Sequence, residues 1–285
     1  MKLFDRKFGR DFIETIPTSP GVYWFLGAEG EVVYVGKAKN LRRRLGQYRN
    51  AKRLKIHKKM RSIISDAKTL HWEPCESDLE AQLNEIRLIQ RHQPRRNIAG
   101  AFSVRYPLVG IREEKGSLFF CYTTVPQKIT GFQLFGAFRS KYVTGEGFFS
   151  LMRLLKFLGS PVTRKRLDAY GGIPYTYFFG FRQLPAGWFQ EWCRFFAGED
   201  GQVLGELSCQ LLEKASARAI GEEIEEDLHS IRQFWDGEIA PLAKAVAVTG
   251  YRNYPVPQSE RDPLFIRFRD WRQNHDAANV EEAID

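Results

Sequence analysis

The sequence predicts an α+β protein: a small amino-terminal domain built on a hairpin and a third strand, then a mixed α/β and helical region. Three observations predict this. Two runs rich in Val, Tyr, Phe and Trp flank a "GAEG" turn, and helical spacing of apolar residues recurs from residue 41 onward. The positive excess, moreover, is confined to residues 1–100, which hold 21 Lys and Arg against 11 Asp and Glu, while the remainder holds 22 against 23. With 285 residues and 43% hydrophobic composition, the chain has enough apolar material for two modest domains or a larger one with appendages.

Taken in order, residues 20–27 and 31–37 read as strands joined by the "GAEG" hairpin turn. Asn40 is placed to cap a helix beginning "LRRRLGQY", and a second helix covers 54–66. A short strand follows at 69–74 and ends at Pro74. Ser77 or Asp78 then caps a helix carrying Leu79, Leu83, Ile86, Leu88 and Ile89, which stops before Pro94. Beyond residue 100, "LFFCYTTV" is strand-like and "GEGFFSLMRLLKFLG" is an amphipathic helix ending at a glycine. Residues 161–187, with Pro, Gly and aromatics, read as irregular. Leu204, Leu207, Leu211 and Ala215 keep helical spacing, Gly221 interrupts, and Ile224, Leu228, Ile231 and Trp235 resume it. The expected organisation is 1–100, 101–198, a helical hairpin at 199–240 and an unassigned tail at 241–285.

Charge and cysteine content narrow the function classes. "GKAKNLRRRLGQYRNAKRLKIHKKMRSIIS" (36–65) holds twelve Lys and Arg and no acid, a pattern suited to a phosphate backbone. A solvated helical face is the alternative. Cys75, Cys121, Cys193 and Cys209 form no CxxC pair, so buried free thiols in a reducing compartment are expected rather than zinc or disulfides. No stretch approaches the roughly 18 apolar residues of a membrane span, and "MKLFDRKFGRDF" has no secretory character, so a cytoplasmic protein without a membrane partner is expected.

The hairpin carries an unusual set of side chains. Tyr23 and Tyr34 lie on adjacent strands and can present hydroxyls near one point. Gly36 keeps the backbone open, Lys37 leaves the second strand, and Arg44 lies one turn into the next helix. Glu85 is the only carboxylate within 81–98. Such a set could hydrolyse a phosphodiester: a carboxylate to hold Mg²⁺, an arginine for transition-state charge, and a tyrosine near a cation as base towards water. Each residue also has an ordinary explanation, as core tyrosine, solvated cation or solvent-facing glutamate, and spacing alone does not choose.

"SPGVYWFLGAEGEVVYVGKAKNLRRRLGQY" strongly resembles the GIY-YIG nuclease domain, specifically the type found in the excinuclease UvrC. GVY (21–23) and YVG (34–36) stand for the two signature tripeptides, and "GKAKNLRRRL" and "EAQLNEIRLIQRHQPRRNI" (80–98) match the continuation found in UvrC. The resemblance implies a three-stranded antiparallel sheet flanked by helices. It implies Tyr23, Tyr34, Lys37, Arg44, Tyr48 and Glu85 as catalytic residues, with Tyr34 the likelier general base, Lys37 tuning it, and Arg44 on the scissile phosphate. Glu85 would be the sole protein ligand of one Mg²⁺ or Mn²⁺, and the product a nick with a 5′-phosphate and a 3′-hydroxyl. Asn97 falls on a family position near the site, and Arg42, Arg43, Lys52, Lys55, Lys58 and Lys59 are the further expected DNA contacts.

Residues 134–159 resemble the segment that follows the nuclease domain in UvrC. There the next segment carries four cysteines that hold an iron–sulfur cluster; here 158–192 has no cysteine, so no cluster is expected. The hairpin 203–236 is placed like the family's motif for binding UvrB, with a degenerate core in "ARAIGEEIEEDLHS"; an ordinary helical hairpin remains the alternative. Too few residues follow 236 for the second nuclease of full-length UvrC, so the resemblance is to short homologues of the Cho type. The implied function is incision on the 3′ side of a lesion in damaged double-stranded DNA loaded with the excinuclease protein UvrB, with UvrA upstream. A nuclease for another DNA structure, or a non-cutting adaptor, are the alternatives.

Overall fold

The computed structural model describes residues 1–97 and 106–281, with side chains described to residue 275. The expected boundary at 100/101 lies outside the described residues. The chain divides into two units, Met1–Val104 with Phe265–Asp285, and Arg105–Leu264.

In the first unit, β1 (Gly21–Leu26) lies between β2 (Val32–Ala38) and β3 (Thr69–Pro74), antiparallel to both. The alternation of the strands assigns their faces. Tyr23, Phe25 and Tyr34 join one apolar cluster with Leu41, Leu45 and Tyr48, whereas Val22 and Trp24 pack on the other face with Ala81 and Leu88. α2 (Leu41–Arg49) begins where the Asn40 side chain accepts the Arg43 N–H at 2.8 Å. α3 (Lys58–Asp66) is preceded by a short 3₁₀ turn over Lys55–His57, so the expected helix from 54 is tighter at its start. Ser77 caps α4 (Asp78–His92), accepting the Glu80 N–H at 3.0 Å.

The amino terminus, for which no element is expected from sequence, forms a short helix over Leu3–Phe8. Phe4 is fully buried against the first cluster, and the Lys7 ammonium donates to the carbonyls of Ile64, Ser65 and Ala67 at the end of α3. A cation placed there satisfies carbonyls that the helix itself leaves unpaired.

The second unit is built on a five-stranded antiparallel sheet in the order β6-β4-β5-β8-β7. The strands are β4 (Leu108–Glu114), β5 (Ser117–Thr123), β6 (Gln133–Gly136), β7 (Ser160–Pro161) and β8 (Thr176–Arg182). The expectation that 161–187 is irregular is therefore corrected: β8 pairs with β5 along seven residues. Its Gly180 and the Gly-Gly-x-Pro run before it conceal the strand locally. A Cβ on Gly180 would meet the Phe119 ring at 2.9 Å, so the residue that weakens the pattern is one the sheet requires.

The amphipathic helix ending at Gly159 is present as Lys141–Leu158, and the helical pair as Gln202–Glu213 and Gly221–Phe234. Gly221 opens the second arm, whose first turn carries Glu222 and Glu223. The tail supplies two further helices, Ala240–Thr249 and Arg261–Glu281. Of the four thiols, Cys75 and Cys121 are buried as expected. Cys193 is half-buried and Cys209 exposed, which corrects the expectation for those two.

Candidate active site

The β1–β2 register places Tyr23 opposite Gly36 and Phe25 opposite Tyr34, so both tyrosines stand on one face, diagonal to each other. α2 brings Tyr48 and Arg44 to the same place. The Tyr23 and Tyr48 hydroxyls lie 3.3 Å apart, and Arg44 Nε donates to the Tyr23 hydroxyl at 3.2 Å. Arg44 Nη1 donates to Gln47 Oε1 at 2.8 Å, which leaves Nη2 without a protein partner among the described residues. A Cβ on Gly36 would stand 2.5 Å from the Tyr23 hydroxyl. The glycine of this position is thus the space in which that hydroxyl lies.

The three tyrosines differ in exposure and in hydrogen bonding. Tyr23 and Tyr48 are 0% and 2% exposed. Burial pushes both phenols far above their ordinary value; Tyr34 adds to this for both, and Arg44, with the Tyr48 hydrogen bond in the case of Tyr23, only partly opposes it. Both therefore stay neutral. Tyr34 is 9% exposed; its hydroxyl has no hydrogen-bond partner among the described residues and is not sealed from solvent. The Lys59 ammonium lies 5.2 Å from the centre of its ring.

The outer edge of β2 is closed by single groups rather than by another strand. The Arg96 N–H donates to the Val33 carbonyl at 3.2 Å. The Asn97 side chain accepts the Val35 N–H at 2.9 Å and donates to the Val35 carbonyl at 2.8 Å, and the Lys37 N–H donates to Glu85 Oε1 at 3.2 Å. Asn97 is thus buried and occupied with backbone, a correction to its expected place among the DNA contacts. Removing its amide in Asn97→Ala strands two buried backbone groups, so unfolding free energy is expected to fall by about 2 kcal/mol. Denaturant titration reads this directly, and an unchanged midpoint would mean that water replaces the amide.

Glu85 closes the same edge one step further along. Burial raises its pKa, and the Lys37 N–H with the charges of Lys37 and Arg44 only partly offsets this. Its Oε2 has no protein partner among the described residues. A partly desolvated carboxylate with one free oxygen fits a single ligand to a hard divalent cation, with the other positions left to water and phosphate oxygens. Among the described residues no group of three or more His, Cys, Asp or Glu forms a complete cation cage.

Lys37 itself faces away from the hydroxyls. It is three residues beyond Tyr34 and so has opposite strand parity, and its ammonium pairs with Asp78 at 2.8 Å rather than with Tyr34. Asp78 is the residue that sequence reasoning missed. The signal was present: it lies seven residues before Glu85, two helical turns along the same face of α4. Arg269, in the carboxyl-terminal helix, also reaches this helix, donating to Gln82 Oε1 at 3.0 Å.

Of the expected DNA contacts, Arg43, Lys52, Lys55, Lys58 and Lys59 are exposed. Arg42 is exposed as well, but its guanidinium donates to the carbonyls of Ile16 at 2.7 Å and Glu14 at 3.1 Å. These bonds fasten the segment before β1 and leave Nη1 without a protein partner among the described residues.

The profile of the UvrC-like GIY-YIG domain matches residues 19–98, the segment that contains this cluster. The chain carries a GIY-YIG nuclease domain related to those of the UvrC family. The relatives that share this GIY-YIG domain are much longer proteins. The UvrABC system protein C of Pseudothermotoga lettingae is 38% identical over 122 residues, 43% of this chain and 21% of that protein. That of Koribacter versatilis is 41% identical over 99 residues, 34% of this chain and 16% of that protein. The chain thus spans about a fifth or less of the length of these relatives. Among solved structures, the GIY-YIG N-terminal endonuclease domain of Thermotoga maritima UvrC, bound to its catalytic magnesium, is 34% identical. It is covered over 93% of its length and 31% of this chain, with a TM-score of 0.28.

Proposed function

We propose that the chain is a metal-dependent endonuclease of nucleotide excision repair, of the Cho type. It would act in the cytoplasm and nick damaged double-stranded DNA on the 3′ side of a lesion, after loading by the excinuclease proteins UvrA and UvrB. The observation that carries the reading is that Tyr34 and Arg44 both adjoin Tyr23, that Glu85 feels the charge of Arg44, and that each of the three keeps one polar atom unused by the protein among the described residues.

Tyr34 takes the proton of the attacking water as it passes its own phenol proton to solvent, since its hydroxyl is the reachable one of the three. The oxygen of that water bonds to phosphorus as the P–O3′ bond breaks, and the departing 3′ oxygen takes a proton from solvent water. This leaves a 5′-phosphate and a 3′-hydroxyl. Arg44, held by Tyr23 and Gln47, turns Nη2 to the phosphoryl oxygens where negative charge develops. Glu85 would hold a Mg²⁺ or Mn²⁺ ion, which when bound withdraws charge from the phosphate. Tyr23 and Tyr48 orient Arg44 and exclude water. Asp78 keeps the Lys37 ammonium off the carboxylate of Glu85.

The test is incision of an end-labelled duplex with a single bulky lesion and Mg²⁺, with UvrA and UvrB present or omitted. A single nick 3′ of the lesion that needs both proteins is the expected result. Cutting that ignores the lesion and the loading proteins would move the nuclease to another DNA structure. No cutting under any condition, with DNA binding retained, would make the chain an adaptor.

A further inference from the structure

A cavity in the first unit reaches Tyr48 of the hydroxyl cluster without including Tyr34, Arg44 or Glu85. It encloses about 660 Å³ and has Tyr48 and Phe4 in its wall. Five basic residues and no carboxylate line it. Two of the five are already engaged: Arg49 pairs with Asp5 at 2.6 Å, and Lys2 donates to Asn50 Oδ1 at 2.5 Å. Among the described residues the Lys52 ammonium is free, and neither the Arg53 nor the Arg61 guanidinium has a hydrogen bond or ion pair. Arg61 is half-buried, and its Nε is sealed from water with nothing to bond. A guanidinium N–H in that state is costly, and it fixes the group at the wall, where the two Nη groups, unbonded and not sealed, are the donors an acceptor in the cavity can reach.

We propose that this cavity is a phosphate subsite that holds a DNA backbone phosphate other than the one cut, with Arg61 as its central contact and Arg53 and Lys52 at its rim. The inference rests on the nuclease reading and extends it. The apolar wall is unsuited to a base, because Phe4 and Tyr48 are 1% and 2% exposed and offer no open ring face. The lining supplies cations and no carboxylate; its acceptor side chains are the hydroxyls of Ser65 and Tyr48 and the amide of Asn50, all neutral, as a phosphodiester site requires. The wall is shared with the active site, since the Tyr48 hydroxyl bonds to that of Tyr23, which accepts from Arg44. A strand anchored here therefore registers its neighbouring phosphates against Arg44. Sequence reading misses Arg61 because it is one cation among twelve in the run 36–65, and only folding removes water from it.

The experiment measures duplex binding across a salt series in a Glu85→Ala chain, comparing added Arg61→Gln with Lys68→Gln, an exposed cation outside the cavity. Arg61→Gln is expected to weaken binding and reduce the log–log salt slope by about 0.9, one phosphate contact, without lowering the thermal midpoint; Lys68→Gln leaves the slope unchanged. An Arg61→Gln slope equal to that of the parent overturns the proposal, and a lowered midpoint with that equal slope assigns Arg61 to the fold. Inorganic phosphate that raises the midpoint of the parent but not of Arg61→Gln, with equal DNA slopes, would overturn the backbone assignment in favour of free phosphate. Absence of salt-dependent DNA binding in the parent would overturn the nuclease reading together with the subsite.

Discussion

Glu85→Ala is expected to abolish incision while the chain still folds and binds DNA. The variant removes the single carboxylate offered to a divalent cation and leaves the basic surface intact. Losing about 4 kcal/mol of charge stabilisation corresponds to roughly a thousandfold in rate. The more conservative Glu85→Gln is expected to match it in activity and to hold or raise the metal-free thermal midpoint at neutral pH. The sign follows from the raised pKa of Glu85: its ionised form costs stability above that pKa, and the cost disappears as pH falls through it. Single-turnover cleavage of a labelled duplex gives the first result and a thermal melt the second. Incision by Glu85→Ala at the normal rate would remove this residue from the chemistry.

Tyr34→Phe is expected to lower the incision rate by about 10²- to 10⁴-fold, the usual reach of a positioned base. The substitution deletes an oxygen that bonds to nothing among the described residues, so stability should remain within a few tenths of a kcal/mol. Tyr23→Phe should behave in the opposite way. It cuts the link from Arg44 to Tyr48 and costs about 1 kcal/mol of stability, with a smaller effect on the chemical step. Comparison of rates and unfolding midpoints for the two variants separates base from scaffold. Retention of normal activity by Tyr34→Phe would move the base to another group.

Much of the first unit was legible because its information is local. The strands around "GAEG", the caps at Asn40 and Ser77, and the third strand ending at Pro74 depend on residues within a few positions of one another. The second unit was less legible. β8 pairs with a strand more than fifty residues earlier, and its Gly180 makes sense only beneath the Phe119 ring. The amino-terminal helix was missed because it is short, and what holds it, Phe4 in the core and Lys7 on distant carbonyls, is nonlocal.

The sequence by itself offered a set of residues that could do chemistry, without choosing between that and their ordinary roles: two tyrosines on adjacent strands, a glycine beside them, an arginine one turn into the next helix and one glutamate on a later one. It did so because strand and helix periodicity fix which side chains share a face. Tertiary structure alone decided the surroundings of each of those residues. Packing sealed Tyr23 and Tyr48 and left the Tyr34 hydroxyl reachable, strand parity and Asp78 turned Lys37 away, and the free edge of β2 claimed Asn97 and one oxygen of Glu85. Desolvation and hydrogen-bond satisfaction are properties of the three-dimensional surroundings, and no pattern along the chain contains them.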